Sequence, residues 1–414
     1  DVLLIDQHNY HTFQPLLYQV ATAGLESEEI AYPVRAIIRR WKGVRFMMAR
    51  VEGVDTERKE VRTSQGAQPY DYLVVAAGSV TNDFGLPGVA EHGFGLKTLD
   101  EAERLRNHIL TLFERSAYEA DPALRAAMRT FVVVGGGPTG VEFAGALREL
   151  VKHVLVRDFP DMQASDVRVI LLEATDKVLA ALPANLQRHA LDRLRRMGVE
   201  VRLQASVTAV EPARVRLKEG EPIPSHTLLW AAGIRGIDLE TTAELTWQRG
   251  KRIAVGPDLA VAGQPELFVI GDLAYLEAGK APLPQVAPVA IQQGALAAEN
   301  IRRRIAGQPA KHFAYRDRGT MATIGRGSAV ARIFGLSFWG FPAWVVWLVV
   351  HLMSLVGFRN RVLVLVNWAY DYFFYERAVR LITGDQRGAA PRPAEPLPAE
   401  QPTQREQHAG AGQG

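Results

Sequence analysis

The sequence contains no cysteine among its 414 residues. Disulfide bonds, thiolate metal sites and every mechanism that uses a thiol are therefore excluded. This exclusion is informative for redox enzymes, because several families of flavin enzymes work through a pair of cysteines. Any redox chemistry of this chain must rest on bound cofactors.

Net charge is also small, because 48 Lys and Arg oppose 45 Asp and Glu to leave a formal charge of +3. No basic patch interleaved with aromatic residues is visible in the body of the chain, so we expect no nucleic-acid partner. Hydrophobic residues make up 48% and charged residues 22%, which is typical of a globular protein. The length suffices for two to three domains.

Apolar runs that end at a glycine or an acid alternate with stretches of helical spacing, and this alternation predicts an α/β fold. Buried strands are predicted at 2–5, 70–79, 130–134, 167–173, 227–234 and 266–276. Helices are predicted at 99–125, after the glycines up to 150, at 185–197 and at 288–306.

A glycine-rich turn follows the apolar run "TFVVV". Gly135, Gly137 and Gly140 have the spacing GxGxxG, with Pro138 and Thr139 inside it, and a helical stretch comes next. Such a turn brings backbone N–H groups and a helix N-terminus to a pyrophosphate. A tight strand-to-helix turn without a ligand is the plain alternative, but the flanking strand and helix favour a dinucleotide site.

An acid at the end of the next strand should bind the ribose of that dinucleotide. Asp158 lies near the usual distance but in an apparent loop, "RDFPD", whereas Glu173 ends a clean strand. We therefore choose Glu173 and expect an insertion before its strand. A carboxylate here repels a 2′-phosphate, so we expect NADH rather than NADPH, unless Glu173 is a simple surface acid.

Three further strand ends form an ordered set: Ala77-Gly78, Ala232-Gly233 and Gly271-Asp272. In isolation each is an ordinary strand end. Together with the glycine turn they resemble the flavoprotein superfamily with two dinucleotide-binding domains, over about residues 1–335. The resemblance implies two Rossmann-like domains for FAD and NADH, with Gly271-Asp272 closing over the flavin ribityl and phosphate chain.

The first residues, "DVLLID", resemble the second strand of the FAD domain in that superfamily, and Asp6 then corresponds to the acid that binds the FAD ribose. The preceding strand, glycine loop and helix are not in the sequence, so we expect a chain that lacks roughly 25–35 residues of this unit. A natural start on an edge strand is the alternative. It is disfavoured because four apolar residues before an acid suit a central strand.

Three segments narrow the resemblance to type II NADH dehydrogenase: "HNYHTFQPLLYQVATAGL" at 8–25, "QVAPVAIQQG" at 285–294 and the hydrophobic C-terminal region. The second resembles the quinone-site pattern AQxAxQ, although Pro288 replaces its first Gln. Gln292 remains as the quinone-site residue, and the neighbouring Gln293 is expected near the flavin. Disulfide reductases and sulfide:quinone oxidoreductases share the architecture but need cysteines that this chain lacks.

The resemblance implies transfer of two electrons from NADH through FAD to a membrane quinone, without ion pumping. Glu142, in the first turn after the glycine loop, corresponds to a family residue near flavin and quinone, so we expect it to relay protons. A helix-start Glu that only complements the helix dipole is the alternative. A soluble NADH-dependent FAD reductase of a small electron-transfer protein is the alternative function. His8, His11 and His351 show no metal spacing, so no metal site is predicted.

The C-terminal region contains two hydrophobic stretches, 341–358 and 362–382. The first is slightly short of the roughly 30 Å hydrocarbon core, and the second carries too many charges to span it. Trp residues near Arg359 and Arg361 favour two amphipathic helices on an anionic membrane surface. The alternatives are a buried or dimer-forming helix pair and, less favoured, a spanning helix.

These patterns divide the chain into five parts. We expect the first part of the FAD domain at 1–125, the NADH domain at 126–245, the second part of the FAD domain at 246–335, membrane-associating helices at 336–384 and a disordered tail at 385–414. The family resemblance further implies a homodimer, peripheral on the cytoplasmic face of the cell membrane.

Overall fold

The computed structural model describes residues 1–279, 281–374 and 379–383. By residue contacts, Asp1–Ile382 form one compact unit; of the second unit, Thr383–Gly414, only Thr383 is described. The predicted disordered tail, together with 375–378 and 384 of the predicted membrane region, lies outside the described residues.

The first 128 residues contribute to several small sheets. The strands are β1 (Val2–Asp6), β2 (Tyr10–Thr12), β3 (Ala31–Pro33), β4 (Val44–Met48), β5 (Val51–Asp55), β6 (Glu60–Thr63), β7 (Gly66–Pro69), β8 (Leu73–Val75) and β9 (Ser79–Thr81). The helices are α1 (Leu17–Ala21), α2 (Ser27–Ile30), α3 (Val34–Ile38), α4 (Val89–His92), α5 (Leu99–Tyr118) and α6 (Pro122–Met128). The single helix predicted at 99–125 is two helices, because Asp121 caps a new one whose first residue is Pro122.

Strand β1 has one neighbour among the described residues. It pairs in parallel with β4, and Asp6 ends it as the sequence predicts. Val2 is 58% and Leu4 is 42% exposed. Among the described residues β1 is an edge strand, and the prediction that it is a central strand of a complete FAD domain stays a prediction.

The next unit surrounds the glycine-rich turn. Its strands are β10 (Thr130–Val134), β11 (Arg168–Leu172), β12 (Val199–Arg202), β13 (Val207–Glu211), β14 (Arg214–Leu217), β15 (Ile223–Pro224), β16 (Thr227–Trp230) and β17 (Ile234–Gly236). Its helices are α7 (Pro138–Leu150), α8 (Val156–Asp158) and α9 (Ala184–Met197), with a π-turn at Val151–Leu155 between the first two. The main sheet is parallel in the order β12-β11-β10-β16, and every residue of β10 is buried, as a central parallel strand requires.

The two predicted glycine breaks lead into paired strands. β9, after Gly78, and β17, after Gly233, run antiparallel to each other. Both preceding strands are shorter than predicted, since β8 ends at Val75 and β16 ends at Trp230. The chain therefore crosses twice at the same place, between the parallel sheet and the sheet that contains β8.

The last segments complete the fold. Their elements are β18 (Trp247–Gln248), β19 (Arg252–Ala254), β20 (Ala260–Val261), β21 (Gln264–Val269), β22 (Ala274–Tyr275), β23 (Glu277–Ala278), β24 (Ala281–Pro282), α10 (Ala287–Ile305), β25 (Thr320–Thr323), β26 (Ala329–Ile333), β27 (Leu336–Gly340), α11 (Phe341–Ser354) and α12 (Phe358–Phe374). β21 pairs in parallel with β8, so residues far apart in sequence share one sheet.

The C-terminal region combines an antiparallel sheet with two helices. β25, β26 and β27 pair in that order, and α11 follows β27 directly at Gly340. The domain boundary predicted between 335 and 336 thus falls inside the β26–β27 hairpin. In the described part of the chain, no helix is both long and apolar enough to span a bilayer.

Helices α11 and α12 each bury one face. Trp347 of α11 is 1% exposed, and Val364 of α12 is fully buried. Asn360 of α12 donates to the carbonyl oxygens of Glu28 and Ala31, both at 3.1 Å, which fixes α12 against α2. The exposed apolar side chains of these helices include Val345, Val349, Val350, Met353, Phe358, Val362, Leu365 and Val366. Contact of the two helices with a membrane stays a prediction.

Candidate active site

The glycine-rich turn leaves an open space in front of α7. Gly135 has φ +109°, and a Cβ there would lie 2.5 Å from the carbonyl oxygen of Ala231. A Cβ at Gly140 would lie 2.0 Å from the carbonyl oxygen of Gly135, so glycine is needed for close packing of helix on strand. Around Gly137, in contrast, no atom lies within 4 Å of the position a Cβ would take. The turn is closed on the protein side and open at its centre.

The first turn of α7 is accessible through this opening. Pro138 and Thr139 are both exposed, whereas Gly140 is buried. The first N–H groups of a helix have no partner within the helix, and they carry its partial positive charge. These residues therefore fit the pyrophosphate of a dinucleotide.

Glu173 lies directly after β11, beside the same turn. One carboxylate oxygen accepts from Gly136 N–H at 2.6 Å, and the other accepts from Thr175 N–H at 2.8 Å. The two bonds fix the orientation of the carboxylate and leave further lone pairs for hydroxyl donors. Its position at the strand end agrees with the sequence prediction.

Asp158, the alternative acid, lies elsewhere. It ends α8, not a loop as predicted, and its carboxylate pairs with Arg380 near the C-terminus of the described chain. The predicted insertion before β11 consists of the π-turn, α8 and a 3₁₀ turn at Ala164–Asp166. Asp158 is thus committed to an ion pair away from the glycine turn.

A second group of predicted residues converges on the turn Gly271–Leu273. Gly271 has φ +71°, and its N–H donates to the side-chain oxygen of Gln293 at 2.7 Å. Asp272 accepts from the Ser79 hydroxyl at 2.5 Å and pairs with Lys97 at 3.3 Å. These bonds join the segment around Ser79 to the turn after β21, and they tie Gln293 of α10 to the same turn.

The glycines of the two crossing points border this group. No atom lies within 4 Å of a Cβ position at Gly78, and Ala77 is exposed. On the other side Ala232 is exposed, while Gly233 lies under the ring of Phe84 at 2.9 Å from its would-be Cβ. Open backbone beside the Asp272 carboxylate fits the flavin end of an FAD.

Asp6 is the predicted contact for the ribose at the other end of FAD. Asp6 is half exposed and accepts from His8 N–H at 2.8 Å. The sequence holds a single GxGxxG, and that one belongs to the β10–α7 turn. The fit of FAD to the described residues therefore rests on the Gly271–Asp272 group, and the contact of Asp6 with the FAD ribose stays a prediction.

Glu142 lies in α7, close to the glycine turn, and is buried. Removal from water raises the pKa of its carboxyl to about 8. A hydrogen bond from Thr323 N–H at 3.3 Å opposes this rise. The indole N–H of Trp347 also faces the carboxyl and favours its charged form, although the contact is too loose for a standard hydrogen bond. Desolvation outweighs these donors, so Glu142 is mostly protonated at neutral pH.

Glu142 opens onto a cavity of about 120 Å³. The cavity lies between α1, α7, the β25–β26 turn and the two C-terminal helices. Its polar and aromatic walls include Tyr18, Gln19, Glu142, Glu149, His153, Arg326, Trp344, Trp347, Trp368 and Tyr372. A buried carboxyl, a cavity and an aromatic roof form an arrangement suited to proton transfer.

Gln292 does not line this cavity. Its amide donates to the carbonyl oxygen of Arg316 and accepts from the N–H of the same residue, both at 3.0 Å. These two bonds fasten the segment before β25 to α10. The structure therefore does not bring the two predicted catalytic residues together, and the role of Gln292 stays a prediction.

The sequence did not point to Lys97 or Arg326, and it pointed to Trp347 only as a Trp of the membrane interface. Lys97 is a single lysine before the capping residue of α5, without any motif. Trp347 is instead buried, at 1% exposed, and it lines the cavity beside Glu142. Glu149 and His153 could have been found, because they lie seven and eleven residues after Glu142 and such spacing repeats on one helix face.

Known protein families match almost the whole chain. The sequence profile described as pyridine nucleotide-disulphide oxidoreductase matches residues 1–294, and that of the NDH2 C-terminal domain matches 318–376. The type II NADH:quinone oxidoreductase Ndh of Mycobacterium tuberculosis is 39% identical over 407 residues, covering 95% of this chain and 87% of its own. NdhA of the same organism is 41% identical over 400 residues, covering 92% and 84%.

Solved structures agree in fold. NDH2 of Plasmodium falciparum in complex with NADH superposes with a TM-score of 0.83 at 18% identity, over 93% of this chain and 95% of that one. Sulfide:quinone oxidoreductase of Aquifex aeolicus has a TM-score of 0.70 at 17% identity, over 91% and 90%. The absence of cysteine separates this chain from thiol-dependent relatives, and the matches over nearly its full length show that it belongs to the type II NADH:quinone oxidoreductases.

Proposed function

We propose that this chain transfers two electrons from NADH through FAD to a quinone at a membrane surface. The balanced reaction, NADH + H⁺ + quinone → NAD⁺ + quinol, takes one proton from the medium besides the hydride. Membership of the family supports the reaction and both cofactors. The observation that carries the proposal is α7, which begins at the open glycine turn and presents buried Glu142 to the cavity beneath the C-terminal helices.

NADH is proposed to bind at the β10–α7 turn. The open position at Gly137 and the exposed first turn of α7 would receive the pyrophosphate. Glu173, held by two backbone N–H groups, would accept hydrogen bonds from the ribose hydroxyls. A 2′-phosphate would meet its negative charge, so NADH is preferred to NADPH.

FAD, when bound, supplies the carrier that accepts hydride from NADH and returns electrons to quinone. The Asp272 carboxylate and the Gly271 turn would orient its ribityl side, with Lys97 as an adjacent cation. The full proposed set for FAD is Asp6, Ala77, Gly78, Ala232, Gly233, Gly271, Asp272 and Gln293. Of these, Gln293 is buried and already fixes the turn through its bond to Gly271 N–H.

Glu142 is proposed to donate the proton that the quinone requires. Its raised pKa keeps a proton available at neutral pH, where an ordinary carboxyl would be ionised. Quinone is proposed to approach from the side of Gln292 and residues 10–20. A contact with Gln292 would use the second lone pair of its side-chain oxygen or require release of Arg316.

Attachment to a membrane is proposed to run through the outward face of α11 and α12. Phe358 is 81% exposed and Met353 is 61% exposed on that face. Exposed apolar side chains that group into such a patch are typical of a protein or membrane interaction surface. The same patch disfavours the alternative function, a soluble reductase of a small electron-transfer protein.

Two further assignments are proposed from the family resemblance. The enzyme is placed peripherally on the cytoplasmic face of the cell membrane, on an anionic surface, and as a homodimer. Exposed Arg359, in the first turn of α12, suits anionic headgroups. Analytical ultracentrifugation of the detergent-solubilised protein, and protease accessibility in oriented membrane vesicles, test the two assignments.

The central test measures electron transfer with purified protein reconstituted with FAD. We expect NADH to bleach the flavin absorbance and a soluble quinone analogue to restore it, with one NADH consumed per quinone. We also expect the protein to float with vesicles of mixed anionic and neutral lipids. Flavin that NADH reduces but quinone does not reoxidise would contradict the proposed acceptor.

A further inference from the structure

The cavity continues along α7 well beyond Glu142. Glu142, Ala146 and Glu149 lie on one face of this helix, and His153 extends the row into the π-turn; all four line the cavity. At 1.5 Å rise per residue, about 10 Å separates the first acid from the second along the axis. The row therefore passes from a buried carboxyl to two half-buried titratable side chains.

The space between these groups has room for water. The cavity volume of about 120 Å³ compares with roughly 30 Å³ for one water in the liquid. Gln19, Tyr18 and Tyr372 add polar groups to walls otherwise formed by Trp side chains. A cavity of this size with polar partners meets both conditions for holding several waters.

Glu149 is held at the outer part of the row. Its carboxylate accepts from Arg326 N–H at 2.5 Å in the turn between β25 and β26. Gly325 in that turn has φ +68°, and a Cβ there would lie 2.6 Å from the same carboxylate. Because Gly325 has no side chain, it leaves room for the Glu149 carboxylate. His153 lies one turn further along the helix.

We propose that this cavity is a water-filled proton path, in which Glu149 and His153 return a proton from the medium to Glu142 after each quinone reduction. The inference rests on the proposed function, in which Glu142 gives its proton to the quinone. In each cycle one proton leaves Glu142 for the quinol oxygen, and one proton enters through the relay residues to replace it. The charge of the relay residues is the same before and after the cycle.

The charged and titratable groups around the path come from each surrounding element. Glu149 and His153 belong to α7 and its π-turn, Arg326 to the β25–β26 turn, Tyr18 to α1 and Tyr372 to α12. On α11, His351 stacks on Trp347 with ring centroids 4.0 Å apart, and burial lowers the pKa of His351 to about 4. His351 is therefore neutral at physiological pH and does not compete as an acid.

The test separates the two half-reactions by anaerobic stopped-flow spectroscopy of the FAD-loaded protein between pH 6 and 9. In Glu149→Gln the amide oxygen can still accept from Arg326 N–H, so the turn is preserved while the titratable group is lost. Ala146→Leu narrows the path between the two acids and leaves every titratable group in place. Lys152→Gln is the matched control, because Lys152 is an exposed neighbour in the π-turn that does not line the cavity.

We expect flavin reduction by NADH to keep its rate in all three variants. Reoxidation by quinone should slow about 10-fold in Glu149→Gln and in Ala146→Leu, with a larger solvent deuterium isotope effect, and stay unchanged in Lys152→Gln. His153→Gln should slow it as well, and added imidazole should restore part of the rate.

Unchanged reoxidation in both Glu149→Gln and Ala146→Leu, beside an active wild type, would overturn the path while the proposed function stands. A reduced wild type that no quinone reoxidises would overturn both. Flavin content and the NADH half-reaction report whether each variant is folded, so a slow reoxidation cannot be mistaken for misfolding.

Discussion

Replacing Glu142 with Gln removes a buried proton with little change in size or shape. Burial raises the pKa of this carboxyl from 4.5 to about 8. Between these two values the folded protein holds a proton that the unfolded chain has released. The free energy of unfolding of the wild type therefore falls as pH rises through this window, by about 5 kcal/mol at 1.36 kcal/mol per pH unit, and levels off above about pH 8.

The Gln variant has no such titration. We expect its stability relative to the wild type to rise by about 5 kcal/mol between pH 4.5 and pH 9, as measured by urea unfolding of both proteins in one buffer series. Glu114→Gln on the exposed face of α5 serves as the control and should follow the wild type. Parallel curves for wild type and Glu142→Gln would refute the buried, protonated carboxyl.

The same substitution should also change the rate at which quinone reoxidises the flavin and the pH dependence of that rate. Quinone reoxidation by the wild type should decline above about pH 8, as the donor becomes ionised. Glu142→Gln should be slow at every pH, without that decline. A variant with wild-type rate and wild-type pH dependence would remove Glu142 from the mechanism.

Three other substitutions test separate parts of the molecule. Glu173→Gln should reduce the preference for NADH over NADPH about 10-fold, or about 1.4 kcal/mol, in the ratio of kcat/KM values, and an unchanged ratio would contradict its role. Gly140→Ala places a Cβ 2.0 Å from the Gly135 carbonyl oxygen, so we expect a loss of about 1–3 kcal/mol in stability and weaker NADH binding, seen by thermal unfolding and titration. Val349→Asp should reduce flotation with vesicles about 10-fold, whereas Ile305→Asp, an exposed apolar site on α10, should leave it unchanged.

Features that depend on local sequence were predicted well. The glycine turn, the acid that follows β11 and the two crossing points are each encoded within a few residues, by glycines at fixed spacing or by an apolar run that ends. Gly78 and Gly271 could be assigned in this way, because both have positive φ, which favours glycine. The parallel sheet around β10 follows from the same short runs.

Features that depend on distant contacts could not be predicted. The cavity brings together Tyr18, Glu142, Arg326 and Trp347, which come from separate segments of the chain and share no motif. Desolvation by that packing, not the helix N-terminus, decides the protonation of Glu142. Strand β27 was also missed, because its residues continue the apolar composition of α11 and only its pairing with β26 identifies it.

The helices with the outward apolar face also roof the cavity. Trp347 covers Glu142 from α11, and Trp368 of α12 donates to Gln19 at 2.8 Å beside it. Cutting the chain before 336 to obtain a soluble enzyme would therefore also remove β27 and admit bulk solvent to the carboxyl. Polar substitutions on the outer face alone are the better route to solubility. A substitution that shifts either helix therefore also changes the surroundings of Glu142 beneath it.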